Sequence, residues 1–190
     1  MSTHVTGRAL RYEEVLDRLR AIAASEAALP LNPVGHSFVL NHGATAERCY
    51  VLIHGYTNCP QQFRAFGELL HARGHNVYVP RLPYHGLADR LNTEHGRLDR
   101  AALLGYLDDA LAVARGLGRR VGVIGISAGA VLAAYAAQFR AEVHYAMPIA
   151  PVLGTPSIPG WATLPLATAA HVFPNRYRWW DPVNKDSRRS

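Results

Sequence analysis

The chain has 190 residues, 49% of them hydrophobic, and a net charge of +6, enough to bury one sizeable core in a single soluble globular domain. No stretch approaches the roughly 20 apolar residues of a membrane span, and the N-terminus lacks the apolar core of a signal peptide, so no transmembrane segment and a cytoplasmic location are expected. All but one of the 20 Lys and Arg residues are arginines spread along the chain, and no aromatic-and-basic groove motif stands out; the densest group, Arg176, Arg178, Lys185, Arg188 and Arg189, reads as a solvated or interdomain surface, so no nucleic-acid partner is expected.

From about Leu10 to Ala28 the apolar residues Val15, Leu19, Ile22 and Ala23 recur at helical spacing, which predicts an amphipathic helix ended by Leu29-Pro-Leu-Asn-Pro33. Ser37 to Leu40 reads as a short strand and Arg48 to Ile53 as a firmer one, apolar enough to be buried on both faces. After His54-Gly-Tyr-Thr-Asn-Cys-Pro60 comes a helix from about Pro60 to His71, with Pro60 in its first turn and Gly74 at its exit. Asn76 to Pro80 is the next strand, and Arg81 to about Leu98 a loop without periodicity. Asp99 caps a helix carrying Leu103, Leu104, Leu107 and Leu111, whose end is marked by Gly116 and Gly118. A strand from Val121 to Ile126, a helix from Ala130 to Phe139 and a strand from His144 to Ala150 complete the alternation, the pattern of a mostly parallel α/β sheet with helices on both faces. Sites in such sheets form at the C-terminal ends of the strands. Between Pro151 and Trp180 five prolines and the aromatics Trp161, Phe173, Tyr177, Trp179 and Trp180 predict an irregular, lid-like segment or a loop on the sheet edge.

The stretch Gly125-Ile-Ser-Ala-Gly129 carries the chemistry. A string of this form arises by chance in roughly one such chain in twenty, so its context decides. It stands between a β-branched strand and an Ala/Leu-rich helix, where a sharp turn lifts a serine hydroxyl clear of the backbone and flanking glycines remove clashing Cβ atoms. Ser127 is thus the candidate nucleophile. The backbone N–H of Ala128, at the helix start, is placed to face a negative oxygen.

The chain resembles the serine esterases and lipases of the α/β-hydrolase superfamily, in its carboxylesterase and monoacylglycerol-lipase-like branch. The resemblance covers about Phe38 to Ala150 and rests on three blocks in the family's order: Val51-Leu-Ile-His-Gly-Tyr-Thr-Asn-Cys-Pro60, Pro80-Arg-Leu-Pro-Tyr-His-Gly86 and the elbow. It implies that the N–H of Tyr56 is the second oxyanion donor and that His54, Gly55 and His85 shape the loops beside the site. It further implies an N-terminal helix and linker over residues 1–36, a partial hydrolase core over 37–150 and a lid-like or incomplete segment over 151–190. Tyr84-His85-Gly86 stands where many relatives have Gly-His-Gly.

In that family the acid and then the histidine follow the serine. Here the carboxylates after Ser127 are Glu142, Asp181 and Asp186, and the histidines His144 and His171, and none matches those positions. His54 and His85 remain as bases out of order, since triads are defined by geometry. The chain therefore reads as a truncated serine hydrolase that cleaves carboxylic esters through an acyl-enzyme, inactive or weakly active as it stands. The other reading is a non-catalytic α/β-hydrolase-like binding protein. Cys49 and Cys59 read as free thiols, and no metal-ligand spacing such as H-E-x-x-H occurs. A small-molecule ester is the expected partner and no cofactor or metal is called for; oligomeric state is not legible.

Overall fold

A computed structural model describes residues 9–152, 161 and 162. The first helix, α1 (Tyr12–Ala27), begins where the Glu14 carboxylate reaches back to the Arg11 N–H at 2.7 Å, satisfying one of the orphan donors of a helix start. It is followed by β1 (Phe38–Leu40), β2 (Ala46–Ile53), a 3₁₀ turn at Pro60–Phe63, α2 (Arg64–His71), β3 (Asn76–Val79) and a second 3₁₀ turn at Glu94–Arg97. Then come α3 (Arg100–Leu117), β4 (Gly118–Ile126), α4 (Ala128–Phe139) and β5 (Val143–Ile149).

The five strands form one sheet in the order β1-β3-β2-β4-β5. β1 runs antiparallel to β3, and the other pairings are parallel. Side chains alternate across a strand, and that period sorts the core into two layers. Val51 and Ile53 of β2, Tyr78 of β3 and Val123 of β4 join Val15, Leu107, Leu111 and Leu132 on one face. Leu52, Val77, Val79 and Ile124 join Phe63 on the other. The mostly parallel α/β architecture expected from the alternation is thus the one observed. β5 departs from it: His144 to Ile149 are all exposed among the described residues. No helix among the described residues is long and apolar enough to cross a membrane.

Asp99 caps α3 as expected, its Oδ1 accepting from the Ala102 N–H at 2.8 Å. The glycines expected to end that helix do something else. Gly116 lies inside α3, and a Cβ there would stand 2.2 Å from Cγ2 of Val15, so it lets α1 cross α3 closely. Gly118 has an extended φ of −150° and opens β4 directly, with no left-handed exit. The helix that follows the elbow starts at Ala128, two residues earlier than expected.

Candidate active site

Ser127 stands between the end of β4 and the start of α4 with φ 57° and ψ −113°. For a residue with a Cβ this is a strained conformation, worth of order 1–3 kcal/mol, that persists only where its surroundings enforce it. The enforcement is visible. The Ser127 N–H donates to the Ile149 carbonyl at 3.0 Å, and the Ser127 carbonyl accepts from Ala130 at 3.1 Å and Val131 at 3.3 Å. The two glycines of the elbow have unequal roles in this packing. A Cβ on Gly125 would lie 2.0 Å from the Gly129 carbonyl oxygen, and one on Gly129 would lie 2.1 Å from the Ile53 carbonyl oxygen. Gly125 therefore lets the turn close on itself, and Gly129 seats α4 on the end of β2.

That seating brings the loop after β2 to the serine. A Cβ built on Gly55 would lie 3.6 Å from the Ser127 Cβ. The backbone of Gly55 is held on both sides: its N–H donates to Gln62 Oε1 at 3.0 Å, and its carbonyl accepts from the Asn58 N–H at 3.0 Å. The same carbonyl accepts from His54 Nδ1 at 2.9 Å. On the helix side, Ala128 is the first residue of α4, a position whose N–H has no acceptor within the helix.

Two histidines clasp this loop to the one after β3. His54, fully buried, accepts the Leu82 N–H on Nε2 at 3.1 Å. His85 reaches the other way, its Nε2 2.7 Å from the Tyr56 carbonyl oxygen and its Nδ1 2.8 Å from that of Pro83. The rings meet edge to face, with centroids 5.5 Å apart, and His95 packs against His85 at 4.4 Å. His54 bonds backbone groups through both ring nitrogens, and both nitrogens of His85 face carbonyl oxygens, of which a neutral ring donates to one. Among the described residues no hydrogen bond joins either ring to Ser127.

Burial lowers the pKa of His54 to about 4, with the neighbouring His85 and Arg81 adding to the shift and its bond to Gly55 opposing it. Burial likewise lowers His85, assisted by His95 and opposed by its bonds to Pro83 and Tyr56. For His54 the unfolded chain, with a pKa near 6.5, binds more protons than the folded one between about pH 6.5 and 4. Its contribution to stability is then fully present above that window and lost as pH falls through it, by about 3 kcal/mol in all. Protonation would also set an N–H against the Leu82 N–H. Urea unfolding at pH 7 and pH 4.5 should show a larger acid loss in the native sequence than in His54→Gln, and equal losses would show that His54 does not set the acid limb.

His144 and Glu142 lie at the opposite end of the sheet, where His144 Nδ1 sits 3.4 Å from the Val121 nitrogen and 2.9 Å from the Glu142 carbonyl. His171, Asp181, Asp186 and all of the lid-like segment except its first two residues, Pro151 and Val152, and the pair Trp161 and Ala162 lie outside the described residues. Among the described residues no histidine or carboxylate hydrogen-bonds the Ser127 hydroxyl, and no group of three His, Cys, Asp or Glu side chains stands ready for a metal. Cys49 is buried, which pushes its thiol pKa up, and both cysteines are free.

Three residues with a hand in this geometry escaped the sequence analysis: Gln62, Arg81 and Glu26. A signal existed for Glu26. It continues the stripe Val15, Leu19, Ile22 by one further helical turn, so its carboxylate lies on the buried side of α1.

A family model described as "Alpha/beta hydrolase family" matches residues 50–188. Among solved structures, a monoacylglycerol lipase from Paleococcus ferrophilus is 18% identical with a TM-score of 0.54, over 74% of this chain and 52% of that one. The structure described for LipS and LipT, metagenome-derived lipolytic enzymes, is 23% identical with a TM-score of 0.48, over 60% of this chain and 44% of that one. A structure from work on carboxylesterases of Nitrososphaera gargenis is 21% identical with a TM-score of 0.39, over 56% and 38%. The chain thus spans about half the length of the first of these. No curated protein matches it significantly.

Proposed function

Because the chain belongs to the alpha/beta hydrolase family, we propose that it is a serine hydrolase acting on carboxylic esters through an acyl-enzyme on Ser127. One observation carries this reading: a serine held at φ 57° beside the backbone of Gly55. A glycine would take this conformation freely, so a serine held there supports a role for its hydroxyl. In the reaction the Ser127 oxygen attacks the ester carbonyl, its proton passes to solvent and from there to the departing alkoxide, and the carbonyl oxygen becomes an oxyanion. The N–H groups of Tyr56 and Ala128 are the donors that would meet it, provided that both lie about 3 Å from the oxyanion's position. Collapse expels the alcohol, and water attack on the ester of Ser127 releases the acid.

A fluorophosphonate reports the same attack without needing deacylation. Stoichiometric labelling of Ser127, located by peptide mass, supports the proposal, and an unlabelled, folded chain would instead favour the hydrolase-like binding protein. Since the donor at Tyr56 is a backbone group, Tyr56→Phe should keep most of the labelling rate. Its hydroxyl makes a long contact, 3.4 Å, with the His95 carbonyl. A tenfold or greater loss in Tyr56→Phe would move the side chain into the chemistry.

A further inference from the structure

Glu26 is the only buried carboxylate among the described residues. Its Oε2 accepts from the Ser37 N–H at 2.8 Å with His36 Nδ1 at 3.8 Å, and its Oε1 accepts from the Ser37 hydroxyl at 2.7 Å and from Arg81 Nε at 3.1 Å. Arg81 is itself largely buried, with 12% of its side chain exposed. A buried ion pair of this kind is a poor way to gain stability, because desolvation offsets most of the attraction. What it supplies is direction, since the guanidinium is a rigid fork. With Nε fixed on Glu26, Arg81 sends a second nitrogen to the His85 carbonyl at 3.0 Å, while the His85 ring holds the Tyr56 carbonyl.

The linker after α1 reinforces that connection. Asn32 donates its N–H to the Gly86 carbonyl and Ala88 donates to that of Pro30, and Leu31 bridges Leu87. Gly35 and Gly86 are so close that a Cβ on the first would stand 2.4 Å from the carbonyl oxygen of the second. His85 is thus gripped on its chain by elements that precede β1. Around Tyr56, the preceding peptide is held through Gly55 and the following one by His85. Fixing both peptides limits rotation of the Tyr56 N–H.

We propose that Glu26 is a positioning residue for the oxyanion side of the site, acting through Arg81 and His85 to hold the Tyr56 backbone. The consequence for chemistry rests on the hydrolase reading above, whereas the consequence for the Tyr56 backbone does not. The N-terminal helix is then part of the active-site scaffold as well as a cover for one face of the sheet.

The test uses the full 190-residue chain and two readouts: the resonance and hydrogen exchange of the Tyr56 amide, and the second-order rate of fluorophosphonate labelling. Glu26→Ala is expected to shift the resonance and to speed exchange about tenfold through local opening. It should slow labelling by about tenfold, short of the 10²–10³ that follows outright loss of an oxyanion donor. Val15→Ala loosens the same helix by removing core contacts and is expected to leave both readouts unmoved. Arg81→Ala added to Glu26→Ala removes the orphaned charge, so thermal stability should partly recover while the Tyr56 amide does not. Glu26→Gln, which keeps an acceptor for the fork, should restore most of the native behaviour.

An unmoved Tyr56 amide in folded Glu26→Ala overturns the proposal, as does an equal response to Val15→Ala or recovery of the amide together with stability in the double variant. Should Glu26→Ala fail to fold, Arg81→Lys decides instead: it keeps the charge but loses the reach to His85, and an unchanged amide there overturns the proposal. If the native chain does not label at all, the hydrolase reading fails while the amide still decides the role of Glu26.

Discussion

Ser127→Ala is expected to abolish capture of a fluorophosphonate altogether and to lower ester turnover by as much as about 10⁶. The full loss requires that Ser127 act together with a base, because a nucleophile and its base fail as a unit. If turnover in this chain rests on the oxyanion donors alone, the substitution leaves in place the ~10³–10⁴ acceleration over water that such donors and binding provide. The measured ratio on a p-nitrophenyl ester therefore reports whether a base completes the site. Labelling is the cleaner arm, since it needs the attack of the Ser127 hydroxyl but no deacylation. Any phosphonate adduct in Ser127→Ala, or a rate equal to that of the native chain, would remove Ser127 from the mechanism. The fold should be unaffected or slightly stabilised, because alanine meets the same strain at φ 57° and buries no polar atom.

Gly129→Ala should be among the most damaging single methyls in the molecule. The atoms in its way are the carbonyl oxygen and carbon of Ile53, at 2.1 and 2.7 Å, and the carbonyl oxygen of His54 at 2.9 Å. None is the end of a flexible side chain. Either α4 lifts from β2 or the end of β2 bends, and overpacking against backbone belongs at or above the upper end of the usual 1–3 kcal/mol. Both adjustments also pull the Gly55 loop away from Ser127, so a folded fraction should label poorly. Urea unfolding and labelling measured together check this. A variant within 0.5 kcal/mol of the native chain with full labelling, about the scatter of a neutral surface change, would show that the elbow has more room than its distances indicate.

The elbow was legible because its rule is local: strand, glycine, serine, glycine and helix fall within one short stretch, and the Asp99 cap was legible for the same reason. Gly116 and Gly118 misled because glycine after an apolar run is an ordinary helix exit, and nothing nearby in sequence announces Val15 of another helix pressing on one of them. The relay from Glu26 to Tyr56 was invisible for a similar reason. Glu26 and Arg81 are 55 residues apart, and no periodicity connects a helix to a loop that distant. His54 and His85 were expected to shape the loops beside the site, and only the backbone groups around each ring, far off in sequence, show which loops they join. The role of the serine and its donors remains the proposal made above, resting on geometry around a motif.

Among the described residues β5 is an edge strand, and its outer flank has a consequence for how a second strand could meet it. The Ile149 carbonyl points toward β4, since it accepts from Ser127. In a strand, successive residues send their polar backbone groups to opposite sides, so Pro148 faces outward. Proline has no N–H to offer there. A second sheet approaching this flank, drawn by exposed Tyr145, Met147 and Ile149, would find the ladder of donors interrupted one residue before the strand ends. Among the described residues this flank can thus attract a neighbour through its side chains but cannot donate along its full backbone, a common natural guard against edge pairing.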